Sequence, residues 1–315
     1  MRADQGQKEF LTVGLKASVV IPTYNSQELL PFCLRALFDQ TAPPTSYEVV
    51  VVDDGSTDET PAVVAALQKE APCTLRYIRL EHAGRARARN AGALAARAPI
   101  IIFLDSDMIV RREFVASHLA AHTRPGLVVN GSVRNTPVPA DPNEKAPQYN
   151  DYSRAFFATG NVSVEREKLI AAGLFDESFV EYGWEDLELG HRMRQLGLKR
   201  GKSLSAWSYH VQAPVTSKII PAILQKERER GHMAVLFYRK HPSFSVKMVT
   251  LISPVFFAWI KLLTPFRWPE RPGATKLLAF CDQKGYKSAF NLILSIMRSY
   301  AYVQGLKEAL GKKEP

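Results

Sequence analysis

The chain has 315 residues, of which 46% are hydrophobic and 23% are charged, and its formal net charge is +10. This composition is typical of a globular protein and excludes a disordered or low-complexity chain, while the length suits one large α/β domain or one domain with an extension. Three cysteines lie far apart and fit no metal-binding or disulfide spacing, which favours free thiols in a reducing compartment. The first ten residues, MRADQGQKEF, contain no apolar signal core, so export is not expected.

Strand and helix patterns alternate through the first hundred residues. Short β-branched or continuous apolar runs predict four strands, at 17–22, 47–54, 74–80 and 99–105. Helical patterns separate them, at 26–40, 56–70 and 84–98. Ser26 is the expected cap of the first helix. Strands separated by helix-sized segments indicate βαβ units, and therefore a mostly parallel, doubly wound sheet flanked by helices.

Polar residues follow three of these strands, as PTYN (22–25), DDGSTD (53–58) and DSD (105–107). Ligands of parallel sheets bind beyond the carboxyl ends of the strands, so we expect these clusters to meet at one edge. Turns also favour such residues, but three clusters at successive strand ends favour a site. The chain contains neither G-x-G-x-x-G nor a P-loop, so a bound nucleotide would need another partner for its phosphates. Carboxylates such as those of Asp-Ser-Asp can hold a hard divalent cation, which then binds a diphosphate.

The motifs SVVIPTYN, VVVVDDGSTDET, GRARARNAG and IIIFLDSD, in this order, resemble family 2 nucleotide-sugar glycosyltransferases. The resemblance implies a GT-A fold, with a catalytic domain at 17–215 after a tail at 1–16. It also implies a metal-dependent enzyme that uses a nucleotide sugar, with a UDP-sugar as the expected donor. A GDP-sugar stays open as an alternative, because base selectivity depends on the shape of the pocket.

Carried onto this sequence, the resemblance assigns residues to the nucleotide. Pro22, Tyr24 and Asp54 would line the pocket for the base, with Asp54 accepting a base N–H. Arg85, Arg89 and Asn90 would lie near the diphosphate and the donor sugar. Arg85 and Arg89 are four residues apart and share a helical face, and a solvated helix face is the alternative interpretation.

The resemblance further implies that Asp105 contacts the ribose or the sugar, with Ser106 beside it, and that Asp107 binds Mn²⁺ or Mg²⁺. AWSYHVQ (206–212) contains His210, and related enzymes use a histidine near this point as a further metal ligand. A neutral imidazole suits Mn²⁺, but packing at a strand end is an equal alternative. The other histidines, including His82, His118 and His122, are expected to be structural or solvated.

The segment FDESFVEYGWEDLELGHRMRQLG (175–197) resembles the Gly-Trp-Glu-Asp segment of galactosyl- and N-acetylgalactosaminyl-type transferases and of chondroitin-polymerase-like enzymes. By that resemblance Asp186 is the catalytic base, Glu185 helps bind the acceptor or donor sugar, and Trp184 belongs to the donor site. A helix is predicted over 184–195. Glu188 lies in its first turn, where an acid commonly serves only to stabilise the helix dipole.

Residues 216–315 carry the whole basic excess. They contain 17 Lys and Arg against 6 Asp and Glu, whereas residues 1–215 contain 24 against 25. Two apolar stretches, at 248–266 and 290–306, are flanked by basic and aromatic residues. This mixture predicts a helical extension that lies on an anionic membrane surface. A re-entrant hairpin of two helices stays open as an alternative, and full spanning is less favoured because the first stretch is short and contains Pro254 and Lys261. A soluble helical subdomain or a dimer interface is the alternative, and no nucleic-acid-binding module is recognisable.

These patterns together predict a cytoplasmic enzyme, peripheral on the inner face of the cell membrane. It would transfer a sugar to a hydroxyl of a glycan or lipid-linked acceptor for cell-surface polysaccharide or glycolipid synthesis. Inversion of the anomeric centre is implied by the resemblance only, and some relatives that share the Glu-Asp block retain the configuration. A nucleotidyltransferase on a similar sheet is less well supported, because PTYN is not a phosphate-binding signature. A catalytically silent, membrane-bound subunit of a polysaccharide synthase is the alternative from a different class.

Overall fold

The computed structural model describes residues 14–143 and 155–311, which form two compact units. The first unit comprises the described residues up to Val180 together with Glu185–Ala213. The second comprises Glu181–Trp184 and the described residues from Pro214 onward. The sequence patterns placed this boundary after residue 215 and gave no sign that the segment 181–184 belongs with the C-terminal helices.

A sheet of eight strands, counted over the described residues, forms the centre of the first unit. In chain order the strands are β1 (Ala17–Thr23), β2 (Tyr47–Asp53), β3 (Thr74–Arg79), β4 (Ile100–Leu104), β5 (Met108–Val110), β6 (Leu127–Thr136), β7 (Asn161–Glu165) and β8 (Lys199–Val211). Their spatial order is β3-β2-β1-β4-β7-β6-β8-β5. The first four strands run parallel, whereas β7 is antiparallel to both β4 and β6.

Helices connect these strands. In the first unit they are α1 (Leu30–Phe38), α2 (Thr60–Gln68), α3 (Arg85–Ala95), α4 (Phe114–Ala121), α5 (Arg166–Ala171) and α6 (Glu185–Gln195). The four strands and three helices predicted for residues 17–105 all form, so the predicted α/β architecture is confirmed.

Two of the predicted helices begin later than expected because polar side chains bind elsewhere. Ser26 does not cap α1; its hydroxyl lies 3.1 Å from the Ser106 hydroxyl, and the helix starts at Leu30. Asp58 accepts a 3.0 Å hydrogen bond from the backbone N–H of Thr60, so the residues just before α2 form a turn.

The core of the first unit lies on both faces of the parallel strands. Alternate residues of β1 pack on opposite sides, with Val19 in one apolar cluster and Val20 in the other, and both are fully buried. Burial of each such side chain contributes roughly 1.5–3 kcal/mol. On the Val20 side, α3 approaches the sheet closely, since a Cβ at Gly92 would lie 2.3 Å from Val20 Cγ1. Only glycine permits this approach, which fixes the helix that carries Arg89.

The second unit is helical. Its helices are α7 (Ile220–Lys240), α8 (Phe244–Val249), α9 (Pro254–Leu263), α10 (Pro272–Gln283) and α11 (Lys287–Gly311). The two long helices, α7 and α11, touch backbone to backbone: a Cβ at Gly231 would lie 2.4 Å from Tyr302 O, and one at Gly305 would lie 2.0 Å from Arg228 O. A helical extension was predicted here, and it is present.

The apolar stretch in this unit is interrupted. Phe244–Leu263 has a mean hydropathy of 1.7, and it is the one stretch of the described residues that is apolar and long enough to cross a membrane. It forms two helices of 6 and 10 residues, joined by a turn in which Leu251 has a φ of 56°. At ~1.5 Å per residue the longer helix reaches about 15 Å, half of a hydrocarbon core of about 30 Å. Neither helix alone spans a bilayer.

Candidate active site of the first unit

The polar residues that follow β1, β2 and β4 meet at one edge of the sheet. The backbone N–H of Asn25 donates to Ser56 Oγ at 2.9 Å, which joins the ends of β1 and β2. The Ser26 and Ser106 hydroxyls, 3.1 Å apart, join the ends of β1 and β4. The convergence expected from the parallel sheet is therefore present.

Asp54 shapes the turn that leads into α3. It is 4% exposed, and its two carboxylate oxygens accept hydrogen bonds of 2.9 Å from the backbone N–H groups of Ala83 and Gly84. Gly84 has a φ of 100°, a conformation that glycine adopts without strain. The carboxylate thus holds the β3–α3 turn against the end of β2.

An aromatic pair lies beside this turn. Tyr24 is 46% exposed and its ring stacks on the His82 ring, with the centroids 4.5 Å apart. His82 Nδ1 also lies 2.9 Å from Asp54 Oδ2. His82 was expected to be structural or solvated, whereas its ring lies among the predicted base-binding residues. Pro22 precedes this pair at the end of β1 and is partly exposed.

Arg89 is the buried centre of the site. Its guanidinium donates to Asp105 Oδ1 at 3.2 Å and to Glu185 Oε1 at 3.0 Å, and its side chain is 5% exposed. Burial opposes the charge, but the carboxylates of Asp105, Glu185 and Asp186 outweigh it and raise the pKa of Arg89. One guanidinium therefore joins the Asp-Ser-Asp segment to the start of α6.

The two acids at the start of α6 differ in environment. Glu185 is 7% exposed, and over the described residues its Oε2 atom is buried without a hydrogen-bond partner. Asp186 is partly exposed. Burial, together with the charge of Glu185, raises the pKa of Asp186 to about 7, although the Arg89 charge opposes this shift. A carboxyl group with such a pKa is suited to exchange protons near neutral pH.

Asp107 and His210 form a second polar pair. Their Oδ2 and Nε2 atoms are 3.1 Å apart, because β5 and β8 pair with Met108 opposite His210. Burial opposes protonation of the imidazole, but the hydrogen bond and charge of Asp107 outweigh it and raise the pKa of His210. Within the described part of the chain, Asp107 Oδ1 is buried and has no hydrogen-bond partner.

This pair fits a divalent cation as a partial ligand set. The unpaired Oδ1 atom of Asp107 and the imidazole nitrogen of His210 are oxygen and nitrogen ligands of the kind that bind Mn²⁺. Among residues 14–143 and 155–311, no group of three or more His, Cys, Asp and Glu side chains could hold a metal ion. A cation here would therefore complete its coordination with substrate phosphates and water, as Mg²⁺ commonly does.

The remaining predicted site residues have other environments. Arg85 is exposed at the start of α3, so it does not share the burial of Arg89. Asn90 is 6% exposed and its amide binds Phe175 and Glu177, which argues for a structural role. Trp184 is 3% exposed in the second unit, where its indole N–H donates to Arg230 O at 2.8 Å. That burial argues against direct contact with a donor sugar.

Glu188 lies one turn further along α6 and is structural. It is 1% exposed, and its two oxygens each accept a 2.7 Å hydrogen bond from Arg192. Arg192 in turn donates to the carbonyl of Leu174 at 2.6 Å. This paired carboxylate holds α6 against the preceding turn.

Comparison with known proteins identifies the class to which this fold and site belong. The family described as glycosyl transferase family 2 matches residues 18–175. A validoxylamine A glucosyltransferase from Streptomyces hygroscopicus subsp. limoneus is 34% identical over 265 residues, which cover 72% of this chain and 57% of that protein. The chain therefore belongs to glycosyl transferase family 2.

A chondroitin synthase from Escherichia coli is 26% identical over 258 residues, which cover 67% of this chain and 36% of that protein. The chain thus spans only part of the length of these curated relatives. Among solved structures, a mannosyltransferase from Pyrobaculum calidifontis in complex with GDP-Man and Mn²⁺ has a TM-score of 0.61 and 19% identity, covering 96% of this chain and 89% of that chain. The TarS fragment 1–349 of S. aureus in complex with UDP-GlcNAc has a TM-score of 0.51 and 20% identity, covering 92% and 93%. These likenesses establish the GT-A fold.

Proposed function

We propose that this enzyme transfers a sugar from a UDP-sugar to a hydroxyl of a glycan or lipid-linked acceptor, in a metal-dependent reaction that inverts the anomeric centre. The observation that carries the proposal is the bridge from Asp105 through Arg89 to Glu185, with distances of 3.2 and 3.0 Å. It joins the acids expected to hold the donor to the segment expected to supply the base. The similar structures solved with GDP-Man and with UDP-GlcNAc support a nucleotide-sugar donor.

Asp107 and His210 would hold the Mn²⁺ or Mg²⁺ ion, which when bound offsets the negative charge that grows on the leaving diphosphate. Tyr24 and His82 would stack against the nucleotide base, because a flat, partly exposed aromatic pair suits a planar ring. Asp105 would accept hydrogen bonds from the ribose or the sugar.

Asp186 would act as the base. The acceptor oxygen forms a bond to the anomeric carbon while the bond from that carbon to the diphosphate oxygen breaks, and the nucleoside diphosphate leaves with the electron pair. The acceptor proton passes to Asp186, whose pKa of about 7 makes it an effective acceptor at neutral pH. A single displacement of this kind inverts the configuration.

The direct test is release of nucleoside diphosphate from a panel of UDP- and GDP-sugars, with Mn²⁺ or with EDTA and with membrane extract as the acceptor source. Mn²⁺-dependent release from one UDP-sugar, abolished by EDTA, is the expected result. Release from a GDP-sugar alone would overturn the assigned donor. No release from any donor would instead support the catalytically silent subunit of a polysaccharide synthase.

We further infer that the second unit lies on an anionic membrane, on its cytoplasmic face. Residues 216–315 carry 17 Lys and Arg against 6 Asp and Glu, which favours contact with anionic head groups. Large apolar side chains of 244–266 are exposed, among them Phe244 (79%), Val255 (78%), Trp259 (56%), Leu262 (72%) and Phe266 (85%). Short, exposed apolar helices beside basic residues are typical of segments that enter only the interfacial layer.

A further inference from the structure

A cavity of about 460 Å³ lies within the second unit, and the proposed transfer reaction does not use it. Its size falls in the range of small-molecule sites, roughly 300–1,000 Å³. One wall is a single face of α11, where Asn291, Ser295 and Ser299 recur every fourth residue. An apolar part of the lining, here called the apolar wall, includes Val249, Leu251 and Phe256.

Three charged residues at this cavity form a partly buried triad. Glu227 is 7% exposed, and its Oε1 accepts hydrogen bonds of 2.9 and 2.5 Å from Arg298. Its Oε2 accepts a 3.1 Å bond from Arg230. Two guanidinium groups against one carboxylate leave a net charge of +1, and the side chains of Arg230 and Arg298 are 42% and 49% exposed.

The position of Arg230 is fixed by aromatic rings. Its guanidinium carbon lies 5.5 Å from the Trp184 ring centre and 5.4 Å from the Tyr302 ring centre. Tyr302 is held in turn, because its hydroxyl donates to Thr250 O at 2.7 Å. A pre-organised guanidinium loses little freedom on binding a further anion.

The apolar wall of the cavity continues into the exposed apolar stretch. Val249 and Leu251 line the cavity and are 49% and 43% exposed. Both lie in the stretch 244–266 that we infer to enter the interfacial layer. A ligand with an anionic head group and an apolar chain would fit this cavity. Its head group would bind the two arginines, and its chain would pack against the apolar wall.

We propose that the cavity binds the phosphate head group of an anionic membrane lipid, with the first methylenes of its chains against Val249, Leu251 and Phe256. Arginine recognises phosphate oxygens through paired N–H donors, which explains two guanidiniums around one buried carboxylate between a polar wall and an apolar wall of the cavity. This inference rests on the proposed membrane contact of the second unit and adds a specific lipid site to it.

The test is binding of the full chain to phosphatidylcholine vesicles with and without phosphatidic acid. Ser295→Trp fills the cavity from α11 without changing the charge, and Ser288→Trp places the same side chain at an exposed position of that helix outside the cavity. Arg298→Gln removes one guanidinium from the cavity. Its control, Lys276→Gln, removes one exposed positive charge at a position of the second unit outside the cavity. Glu227→Gln removes the carboxylate that competes with the lipid phosphate.

We expect Arg298→Gln to weaken binding to phosphatidic-acid vesicles about tenfold, as loss of a charge-assisted hydrogen bond would, and Ser295→Trp to weaken it at least as much, because the indole would occupy the space of the head group. Ser288→Trp and Lys276→Gln should remain within about twofold of the wild type, and Glu227→Gln should bind more tightly. If the two cavity variants bind like their controls, the cavity holds no lipid. A second outcome would also overturn the lipid assignment. If inorganic phosphate raises the Tm of the protein as much as phosphatidic-acid vesicles do, the cavity is a site for free phosphate.

The outcome is separable from that of the transferase proposal. The transferase assay measures release of nucleoside diphosphate and the lipid assay measures binding to vesicles, so each proposal has its own readout. Vesicle binding that depends on the cavity would support the lipid site even in a chain that proved catalytically silent. Release of diphosphate without cavity-dependent vesicle binding would retain the transferase and discard the lipid site.

Discussion

At the scale of single residues, the Asp-Ser-Asp segment was predictable and its partners were not. Asp105 and Asp107 follow a buried apolar strand, and that position alone predicted a polar site at the sheet edge. Arg89 differs from Arg85 because α3 packs so closely on the sheet that one position is buried while the other stays exposed. Helical spacing groups such residues on one face but does not reveal what the face packs against.

The pH dependence of transfer should report on the interaction between Glu185 and Asp186. The charge of Glu185 contributes to raising the pKa of Asp186 to about 7, so a neutral glutamine should lower that pKa. We therefore expect Glu185→Gln to shift the acidic limb of kcat/KM to lower pH, by about one unit for a neighbouring charge. Glu167→Gln, an exposed position of the same unit, should leave the limb near pH 7. An unchanged limb in Glu185→Gln would mean that another group acts as the base.

At the scale of elements, strands and helices were predicted well from apolar patterns, whereas their ends depended on long-range contacts. Ser26 was expected to cap α1, but its hydroxyl meets Ser106, which is distant in sequence and close only in the folded sheet. The segment 181–184 shows the same dependence on long-range contacts more clearly. It directly precedes α6 in the chain, yet it belongs to the helical second unit. Local propensity carries no information about such partners.

The attachment of α4 to the sheet should be sensitive to acid. His118 is fully buried, with its ring nitrogens 2.9 Å from Ser163 Oγ and from Asn161 Oδ1. Burial lowers the pKa of His118 from 6.5 to about 4, so between these values the unfolded chain binds more protons than the folded one. His118 should therefore lower the free energy of unfolding as the pH falls, by about 2 kcal/mol between pH 7 and pH 5, whereas Asp186, whose pKa is raised, contributes in the opposite direction over that range.

Urea unfolding at the two pH values measures this effect. Relative to the wild type, His118→Gln should gain about 2 kcal/mol in the free energy of unfolding between pH 7 and pH 5, although it is less stable than the wild type at pH 7. His191→Gln removes a partly exposed imidazole of the same unit and should keep the wild-type pH dependence. Equal pH dependence in the wild type and His118→Gln would show that His118 is not responsible.

At the scale of the whole molecule, the distribution of charge and exposed apolar surface separates the two units. The second unit has the basic excess and the exposed side chains of 244–266. Composition predicted this helical extension, but the break at Leu251, which divides the apolar stretch into short helices, became visible only in the fold.

Vesicle cosedimentation should depend on the apolar stretch and not on exposed leucines elsewhere. Val255→Ser together with Leu262→Ser removes side chains that are 78% and 72% exposed, and we expect at least tenfold weaker binding to anionic vesicles. Leu196→Ser together with Leu204→Ser changes side chains of the first unit that are 55% and 59% exposed, and binding should be retained. Equal binding of the two double variants would place membrane contact elsewhere in the chain.

The most direct measurement compares Asp107→Asn with Asp186→Asn in two assays, Mn²⁺-dependent binding of the donor that the wild type uses and transfer from it. Asp186→Asn should bind the donor within about twofold of the wild type and lose about 10²–10⁴-fold in transfer, because only the base is removed. Asp107→Asn should lose both Mn²⁺-dependent binding and transfer. Asp39→Asn, an exposed carboxylate of the same unit, should match the wild type in both assays. Transfer by Asp186→Asn at the wild-type rate would contradict the assignment of Asp186 as the base and the mechanism built on it.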